Sequence, residues 1–158
     1  MLTLERLKSV LRYDPETGRW TNLVTRARAR AGDEAGNRDA IGRHRIMLDG
    51  VHYRSSRLAY LYMKGEWPPH QIDHKNGDAT DDRWENLRPA TNQQNGWNTK
   101  PYNRIGLKGV VKKRRQYQAR IFFNGKLRHL GFFPTAQEAH DAYKLAALEH
   151  FGEFARFD

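Results

Sequence analysis

The polar stretch of residues 71–98 combines an acid, a histidine and several amides in an arrangement that suits phosphate chemistry. Asp73 and His74 are adjacent and follow the apolar Ile72, which is typical of a strand end, so their side chains should project on opposite sides of it. Asn95 is expected one turn into a short helix and can face back toward Asp73. This spacing brings a carboxylate oxygen and an amide oxygen together.

Such a pair of oxygens is a suitable ligand set for a hard cation, which keeps its other positions for water and phosphate oxygens. We therefore predict that Asp73 and Asn95 bind a single Mg²⁺, for which Mn²⁺ or another divalent cation can substitute. Histidine is the side chain that most readily exchanges a proton near neutral pH, so His74 could deprotonate a water that attacks the phosphate. The cation would stabilise charge on the scissile phosphate and on the leaving 3′-oxygen.

The elements that must position these residues can be predicted from turn and cap signals. Asp49-Gly50 predicts a tight hairpin, and an apolar helix should follow and end at Gly65. After it, the stretch that starts at Asp73 should form a second hairpin, with residues 75–84 as its loop and 87–90 as its return strand. Four further acids lie in or beside that loop and are expected only to keep it solvated: Asp78, Asp81, Asp82 and Glu85.

The distribution of charge predicts a polyanionic partner. The formal net charge is +10, and no Asp or Glu occurs from Asn86 through Gln137. An acid-free segment of this length favours phosphate binding over a merely solvated basic face. The basic residues inside it are Arg88, Lys100, Arg104, Lys108, Lys112, Lys113, Arg114, Arg115, Arg120, Lys126 and Arg128.

The C-terminal part shows a separate pattern of three strands and one helix. Asn124-Gly125 predicts a tight turn between the second and third strands, and Thr135 with Glu138 forms a capping box at the start of the helix. A three-stranded antiparallel sheet packed on this helix is the natural closure. The apolar face of the helix is expected at Ala139, Ala142, Tyr143, Ala146 and His150.

The segment IDHKNGDATDDRWENLRPATNQQN resembles the HNH endonucleases with a ββα-metal finger, in their phage and homing branch. By this resemblance Asp73 is a metal ligand, His74 the general base, Asn86 the central asparagine that orients the base, and Asn95 the third motif residue of a His-Asn-Asn variant. The implied fold class is α+β, with an N-terminal ββα-metal nuclease domain. The implied site therefore has His74 and Asn86 as catalytic residues and Asp73 and Asn95 as metal ligands.

The segments KGVVKKRRQYQARIFF and HLGFFPTAQEAHDAYKLAALEHFGEFA, within residues 107–158, resemble the ethylene-response-factor (Apetala-type) DNA-binding domain. The resemblance implies that the sheet lies in the DNA major groove with the helix packed behind it. We expect Lys108, Val111 and Lys113 to share the outward face of the first strand. The predicted DNA-binding residues are Lys108, Lys112, Lys113, Arg114, Arg115, Gln118, Arg120 and His129.

Together these observations predict a metal-dependent endonuclease of double-stranded DNA. The expected domains are a nuclease domain at 1–98 with its metal finger at 71–98, a linker at 99–106, and a DNA-binding domain at 107–158. A homodimer would be needed for one encounter to cut both strands. The alternatives are a non-catalytic DNA-binding or regulatory protein that retains a decayed HNH finger, and a nuclease that acts on RNA.

Composition excludes several other classes of function and site. The chain has no cysteine, which excludes disulfides, thiolate zinc sites and a cysteine nucleophile. No apolar run approaches the roughly 20 residues of a membrane span, and the N-terminus is unlike a signal peptide. We therefore expect no membrane partner and a cytoplasmic location, in a bacterial or phage-infected cell.

Overall fold

The computed structural model describes residues 2–27, 29–101 and 103–157, and the chain divides into two compact units, Met1–Asn92 and Gln93–Asp158. Helices and small antiparallel sheets are mixed in both, in agreement with the predicted α+β class. Tyr102, within the predicted linker, lies outside the described residues. No helix in the described part of the chain is long and apolar enough to cross a membrane.

The first unit begins with a helix and a hairpin. Helix α1 (Leu4–Val10) starts behind Thr3, whose hydroxyl accepts a hydrogen bond from the Arg6 amide at 3.2 Å and so caps the first turn. Strands β1 (Leu11–Tyr13) and β2 (Trp20–Asn22) then pair antiparallel.

A three-stranded sheet and a second helix follow in this unit. Their bounds are β3 Asn37–Arg38, β4 His44–Leu48, β5 Val51–Arg54 and α2 Ser55–Lys64, and the strand order is β3-β4-β5. The predicted Asp49-Gly50 turn joins β4 to β5, and Gly65 ends α2 with a left-handed φ of 81°. Both predictions are confirmed.

The stretch with the candidate site forms the predicted second hairpin. Strand β6 (Gln71–His74) pairs antiparallel with β7 (Leu87–Ala90), and a single 3₁₀ turn (Trp84–Asn86) closes the loop between them. The register places Asp73 opposite Arg88. Helix α3 (Asn92–Trp97) comes next in the sequence.

The core of the first unit is built around Trp20, which is fully buried and donates its indole N–H to the Ser55 hydroxyl at 2.9 Å. The hydrogen bond satisfies the polar atom of a large aromatic that is buried between elements far apart in sequence. The other buried apolar members are Leu2, Leu7, Val10, Leu11, Tyr13, Ala35, Ile46, Leu48, Leu58, Ala59, Leu61 and Leu87.

The second unit is a three-stranded antiparallel sheet with one helix against it. Its elements are β8 (Val110–Lys113), β9 (Gln116–Phe123), β10 (Lys126–Phe133) and α4 (Ala136–Phe151), in the strand order β10-β9-β8. The predicted Asn124-Gly125 turn joins β9 to β10, and the predicted capping box of Thr135 and Glu138 is present.

The buried face of α4 differs from the prediction in its second half. Ala139 and Tyr143 are buried as expected, whereas Ala147 and Phe151 are buried in place of Ala146 and His150. From Ala139 the buried positions advance by four residues at each step to Phe151, whereas the prediction included a step of three from Tyr143 to Ala146.

The β1–β2 turn lies directly against the loop of the second hairpin. Gly18 has a φ of +73°, and a Cβ on it would lie 2.5 Å from the Asp82 carbonyl carbon and 2.6 Å from the Arg83 nitrogen. The Pro15 carbonyl accepts a hydrogen bond from the Trp84 amide at 2.9 Å. Only a residue without a side chain permits this approach of two backbones.

We expect Gly18→Ala to destabilise the protein by more than about 3 kcal/mol, since left-handed strain of about 1–2 kcal/mol adds to the backbone clash. Gly50→Ala is the matched control, because Gly50 has a similar φ of +79° and nothing within 4 Å of the added Cβ. Urea unfolding measures both. Equal losses in the two variants would contradict the close packing of the turn on the loop.

Candidate functional site

Asp73 is held by a buried ion pair across the β6–β7 ladder. The side chains of Asp73 and Arg88 are only 5% and 8% exposed. Arg88 donates to Asp73 Oδ2 from Nε at 2.9 Å and from Nη2 at 2.8 Å. Two charge-assisted hydrogen bonds to one oxygen set the orientation of the carboxylate. The pair also stabilises the negative charge of Asp73 in a position that is shielded from water.

His74 is paired with an acid from the hairpin loop. Its Nε2 lies 2.9 Å from Asp82 Oδ1, and the two side chains are 15% and 6% exposed. A carboxylate only accepts hydrogen bonds, so the contact favours the tautomer with the proton on Nε2. In the neutral ring the lone pair is then on Nδ1, which is the nitrogen that can accept a proton.

Asn86 organises the loop between the two strands. Its amide nitrogen donates to the Asp81 carbonyl at 2.8 Å and to Asn76 Oδ1 at 3.1 Å, and its Oδ1 accepts from the Asn76 amide at 3.0 Å. These bonds fasten both arms of the loop to the start of β7. The contacts of Asn86 are therefore with the loop that carries Asp82.

Asp82 is also held through its backbone. The Tyr13 hydroxyl donates to the Asp82 carbonyl at 2.6 Å, and this contact is buried. Burial, followed by the charges of Asp82, Asp14 and Asp81, raises the pKa of Tyr13 well above its usual value, so the hydroxyl stays a donor at neutral pH. Asp82 is thus tied to the core of the first unit.

The loop contains a second ion pair that is local to it. Arg83 donates to Asp81 Oδ1 from Nε and to Oδ2 from Nη2, both at 2.8 Å. The hydrogen bonds from Arg83 lower the pKa of Asp81 to about 2, so this acid remains ionised at all physiological pH values.

The remaining predicted metal ligand, Asn95, lies on α3 in the second unit, and its role stays a prediction. Over residues 2–27, 29–101 and 103–157, no group of three or more His, Cys, Asp or Glu side chains is placed to hold a metal ion. A cation at Asp73 would therefore be bound by few protein groups. This fits Mg²⁺, which commonly uses one or two carboxylates and substrate phosphates.

The second unit presents one sheet face to solvent, which we call the outer sheet face. The cross-strand registers place Gln118 beside Val111 and Phe132, Arg120 beside His129, and Phe122 beside Leu127. This face carries no acid. Its nine residues are Val111, Lys113, Gln116, Gln118, Arg120, Phe122, Leu127, His129 and Phe132.

Most of the predicted DNA-binding residues lie at or near the outer sheet face. Lys113, Gln118, Arg120 and His129 belong to it, whereas Lys112 is an exposed residue whose register partner is Tyr117, on the opposite side of the ladder. Arg114 and Arg115 are exposed at the turn between β8 and β9. The DNA-binding roles of all these residues stay predictions.

Two positions expected in the basic surface lie elsewhere. Strand β8 begins at Val110, so the predicted placement of Lys108 on its outward face is wrong; the ammonium group donates to the carbonyls of Trp97 and Thr99. Arg88 is not a phosphate-facing residue either, because it is buried against Asp73. In both cases the positively charged side chain is bound by a carbonyl or carboxylate oxygen of the same unit.

The prediction that Asp82 only solvates the loop is also wrong, since its side chain is buried and contacts His74. The position of Arg88 could have been found from the hairpin register, which places it directly opposite Asp73. No sequence pattern predicts that Asp82 lies beside His74, because its position depends on how a ten-residue loop folds against Tyr13 and Gly18.

We expect Arg88→Met to destabilise the protein by about 3–5 kcal/mol, because it leaves the Asp73 carboxylate buried without its cation. Arg12→Met is the matched control at an exposed position on β1 and should change stability by no more than about 0.5 kcal/mol. Urea unfolding at pH 7 gives both values. A destabilisation in Arg88→Met as small as in the control would contradict the role assigned to the ion pair.

Comparisons with known proteins find a family match over the stretch that contains the β6–β7 hairpin. Residues 53–97 match the model of the HNH endonuclease family, a stretch that contains Asp73, His74, Asn86 and Asn95. The chain is 33% identical over 97 residues to an uncharacterised HNH endonuclease of Acanthamoeba polyphaga mimivirus.

That alignment covers 60% of this chain and 51% of the viral protein, so the chain spans about half the length of this relative. No solved structure matches the chain. The resemblance of residues 107–158 to the ethylene-response-factor domain gains no support from either match. The comparisons thus support an HNH endonuclease domain around the β6–β7 hairpin.

Proposed function

We propose that the protein is a metal-dependent DNA endonuclease that hydrolyses phosphodiester bonds with His74 as general base. The observation that carries the proposal is the pairing of His74 with buried Asp82, 2.9 Å apart, inside the 53–97 stretch that matches the HNH endonuclease family. A histidine held by an acid in a fixed tautomer is the arrangement that general base catalysis requires.

In this proposal His74 takes one proton from a water at Nδ1, and the water oxygen attacks the scissile phosphorus. The bond to the 3′-oxygen then breaks, and the leaving alkoxide takes a proton from solvent water, which leaves 5′-phosphate and 3′-hydroxyl ends. Asp82 stabilises the imidazolium that forms, because its carboxylate already contacts Nε2. A buried acid stabilises a developing positive charge more strongly than an exposed acid does, because little water screens the pair.

Asp73 and Asn95 would hold the Mg²⁺ in this proposal. Arg88 donates both of its guanidinium bonds to Oδ2 of Asp73, and the carboxylate would supply an oxygen to the cation. A bound cation would supply charge stabilisation at the scissile phosphate and the leaving oxygen. Arg88 fixes the orientation of the Asp73 carboxylate before any cation binds.

Asn86 contributes through the loop rather than at the reacting atoms. By fastening Asn76 and Asp81 to the start of β7, it holds the loop in the one shape that presents Asp82 to His74. Positioning of this kind matters because small displacements of a catalytic group reduce the rate strongly.

The second unit would supply DNA affinity through its outer sheet face. That face combines Lys113, Arg120 and His129 with Gln118 and carries no acid, and α4 covers the opposite side of the sheet. Three strands about 4.8 Å apart span about 10 Å, which is comparable with the width of the DNA major groove. The proposed occupant is therefore duplex DNA, bound with its phosphates near the basic side chains.

The cleavage prediction uses the full-length protein, supercoiled plasmid and Mg²⁺. We expect nicked or linear product with the wild type and a fall of at least about 100-fold in rate with His74→Ala, the usual contribution of a general base. His52→Ala, at an exposed position on β5, is the control and should cleave at the wild-type rate.

In the same assay Asp82→Asn should reduce the rate while leaving plasmid binding unchanged, because it alters the partner of His74 and not the basic surface. If the wild type fails to cleave the plasmid with every divalent metal tested, the endonuclease proposal is wrong. If Asp82→Asn cleaves like the wild type, the pairing with His74 does not serve catalysis.

The DNA-binding prediction concerns salt dependence. Log affinity falls as log salt rises, and removal of one phosphate-binding side chain should make this slope shallower by about 0.9. We therefore expect the Lys113→Ala/Arg120→Ala double variant to have a slope shallower by up to about two units. Fluorescence anisotropy with a short duplex in EDTA measures this. Lys144→Ala, on α4, removes a positive charge away from the outer sheet face and should keep the wild-type slope; an equal fall there would contradict the assignment.

A further inference from the structure

The outer sheet face exposes large apolar side chains, which phosphate binding by its basic side chains does not require. Phe122, Leu127 and Phe132 are 57%, 58% and 54% exposed. All three lie on the sheet side opposite the buried core residues Ala119 and Ile121 of β9. Because all three share one face, a partner bound there would remove them together from water, which favours binding.

The apolar side chains form two rows across the sheet. Phe122 and Leu127 are register partners in one row, and Phe132 lies in the other beside Gln118 and Val111. Between them lies the row of Arg120 and His129. The face therefore has an apolar row on each side of a basic row, and the polar Gln118 lies at the centre of the second apolar row.

The spacing of the rows matches duplex DNA. Positions 118 and 122 are four residues apart on β9, which corresponds to about 13 Å along an extended strand. Successive base pairs rise about 3.4 Å along the helix axis, and the groove winds around that axis, so the two apolar rows span at most about four base-pair steps. Arg120 lies midway, where a guanidinium can reach a guanine edge or a phosphate.

The major groove offers one apolar group for such side chains. Thymine carries a methyl group at C5 that projects into this groove, while the other base edges present hydrogen-bond donors and acceptors. Aromatic and aliphatic side chains cannot satisfy donors or acceptors, and they desolvate them at a cost. Apolar rows on a DNA-facing sheet therefore favour thymine and disfavour the other bases.

We propose that the two apolar rows, Phe122 with Leu127 and Phe132 with Val111, contact thymine methyl groups in the major groove and give the protein a preference for two thymines within about four base pairs of each other. The inference rests on the proposed binding of DNA by the outer sheet face and adds the chemical group that is read. Basic side chains supply affinity, and the apolar rows supply the preference.

The test compares two duplexes that differ only in this methyl group. A duplex of mixed sequence, about 200 base pairs long, is prepared once with thymine and once with uracil in its place. Binding of the full-length protein to each is measured in EDTA, so that no cleavage occurs. We expect the uracil duplex to bind about 4- to 15-fold more weakly, which corresponds to about fourfold for each methyl group that the thymine duplex buries against the protein.

The variants assign the effect to the rows. Phe122→Ala/Leu127→Ala should bind the thymine duplex more weakly and reduce the thymine-to-uracil ratio toward one, and exposed side chains of this kind can be truncated while the core stays intact. Leu145→Ala, on α4 and 72% exposed, is the matched control and should keep the wild-type ratio.

Three results would overturn the inference. Equal wild-type affinity for both duplexes would reject it while leaving DNA binding by this protein intact. A thymine preference that persists unchanged in the double variant would show that other residues read the methyl group. Absence of binding to either duplex would reject both the inference and the DNA-binding role of the sheet.

Discussion

The contact between His74 and Asp82 is the interaction on which the rest of the first unit's site depends. It joins the end of β6 to a loop that has no strand pairing of its own, and both side chains are largely buried. An unpaired acid in that position would be costly, so the loop has one shape in which its polar groups are satisfied. Several parts of the unit serve to keep that shape.

These supports come from separate parts of the sequence. Tyr13 holds the Asp82 carbonyl, Gly18 lets the β1–β2 turn approach the same peptide, and Asn86 fastens the loop from the side of β7. The hydrophobic core around Trp20 keeps the first hairpin in place, so core packing and site geometry are coupled. The ion pair of Asp73 with its cross-strand arginine completes the arrangement on the other side of β6.

The two units divide the proposed work by their chemistry. The first unit places acids and a histidine in a sheltered arrangement, where a low effective dielectric strengthens each contact. The second unit exposes a face without acids, in which an apolar row lies on each side of a basic row. A hairpin site of this size offers little surface for recognising a DNA sequence. We therefore attribute sequence preference to the sheet of the second unit in this proposal.

The sequence by itself determined the features that depend on neighbouring residues: the Asp49-Gly50 and Asn124-Gly125 turns, the capping box of α4 and the β6–β7 hairpin with Asp73 and His74 at the end of its first strand. Turn geometry, cap bonds and strand alternation act over a few residues, so their signals are local. Only the tertiary structure decided that Asp82 is a buried partner of His74, that Arg88 pairs with Asp73 and that Lys108 binds backbone carbonyls. Charge counts could not reveal these pairings, because a residue's burial and its partner are set by how distant segments pack together.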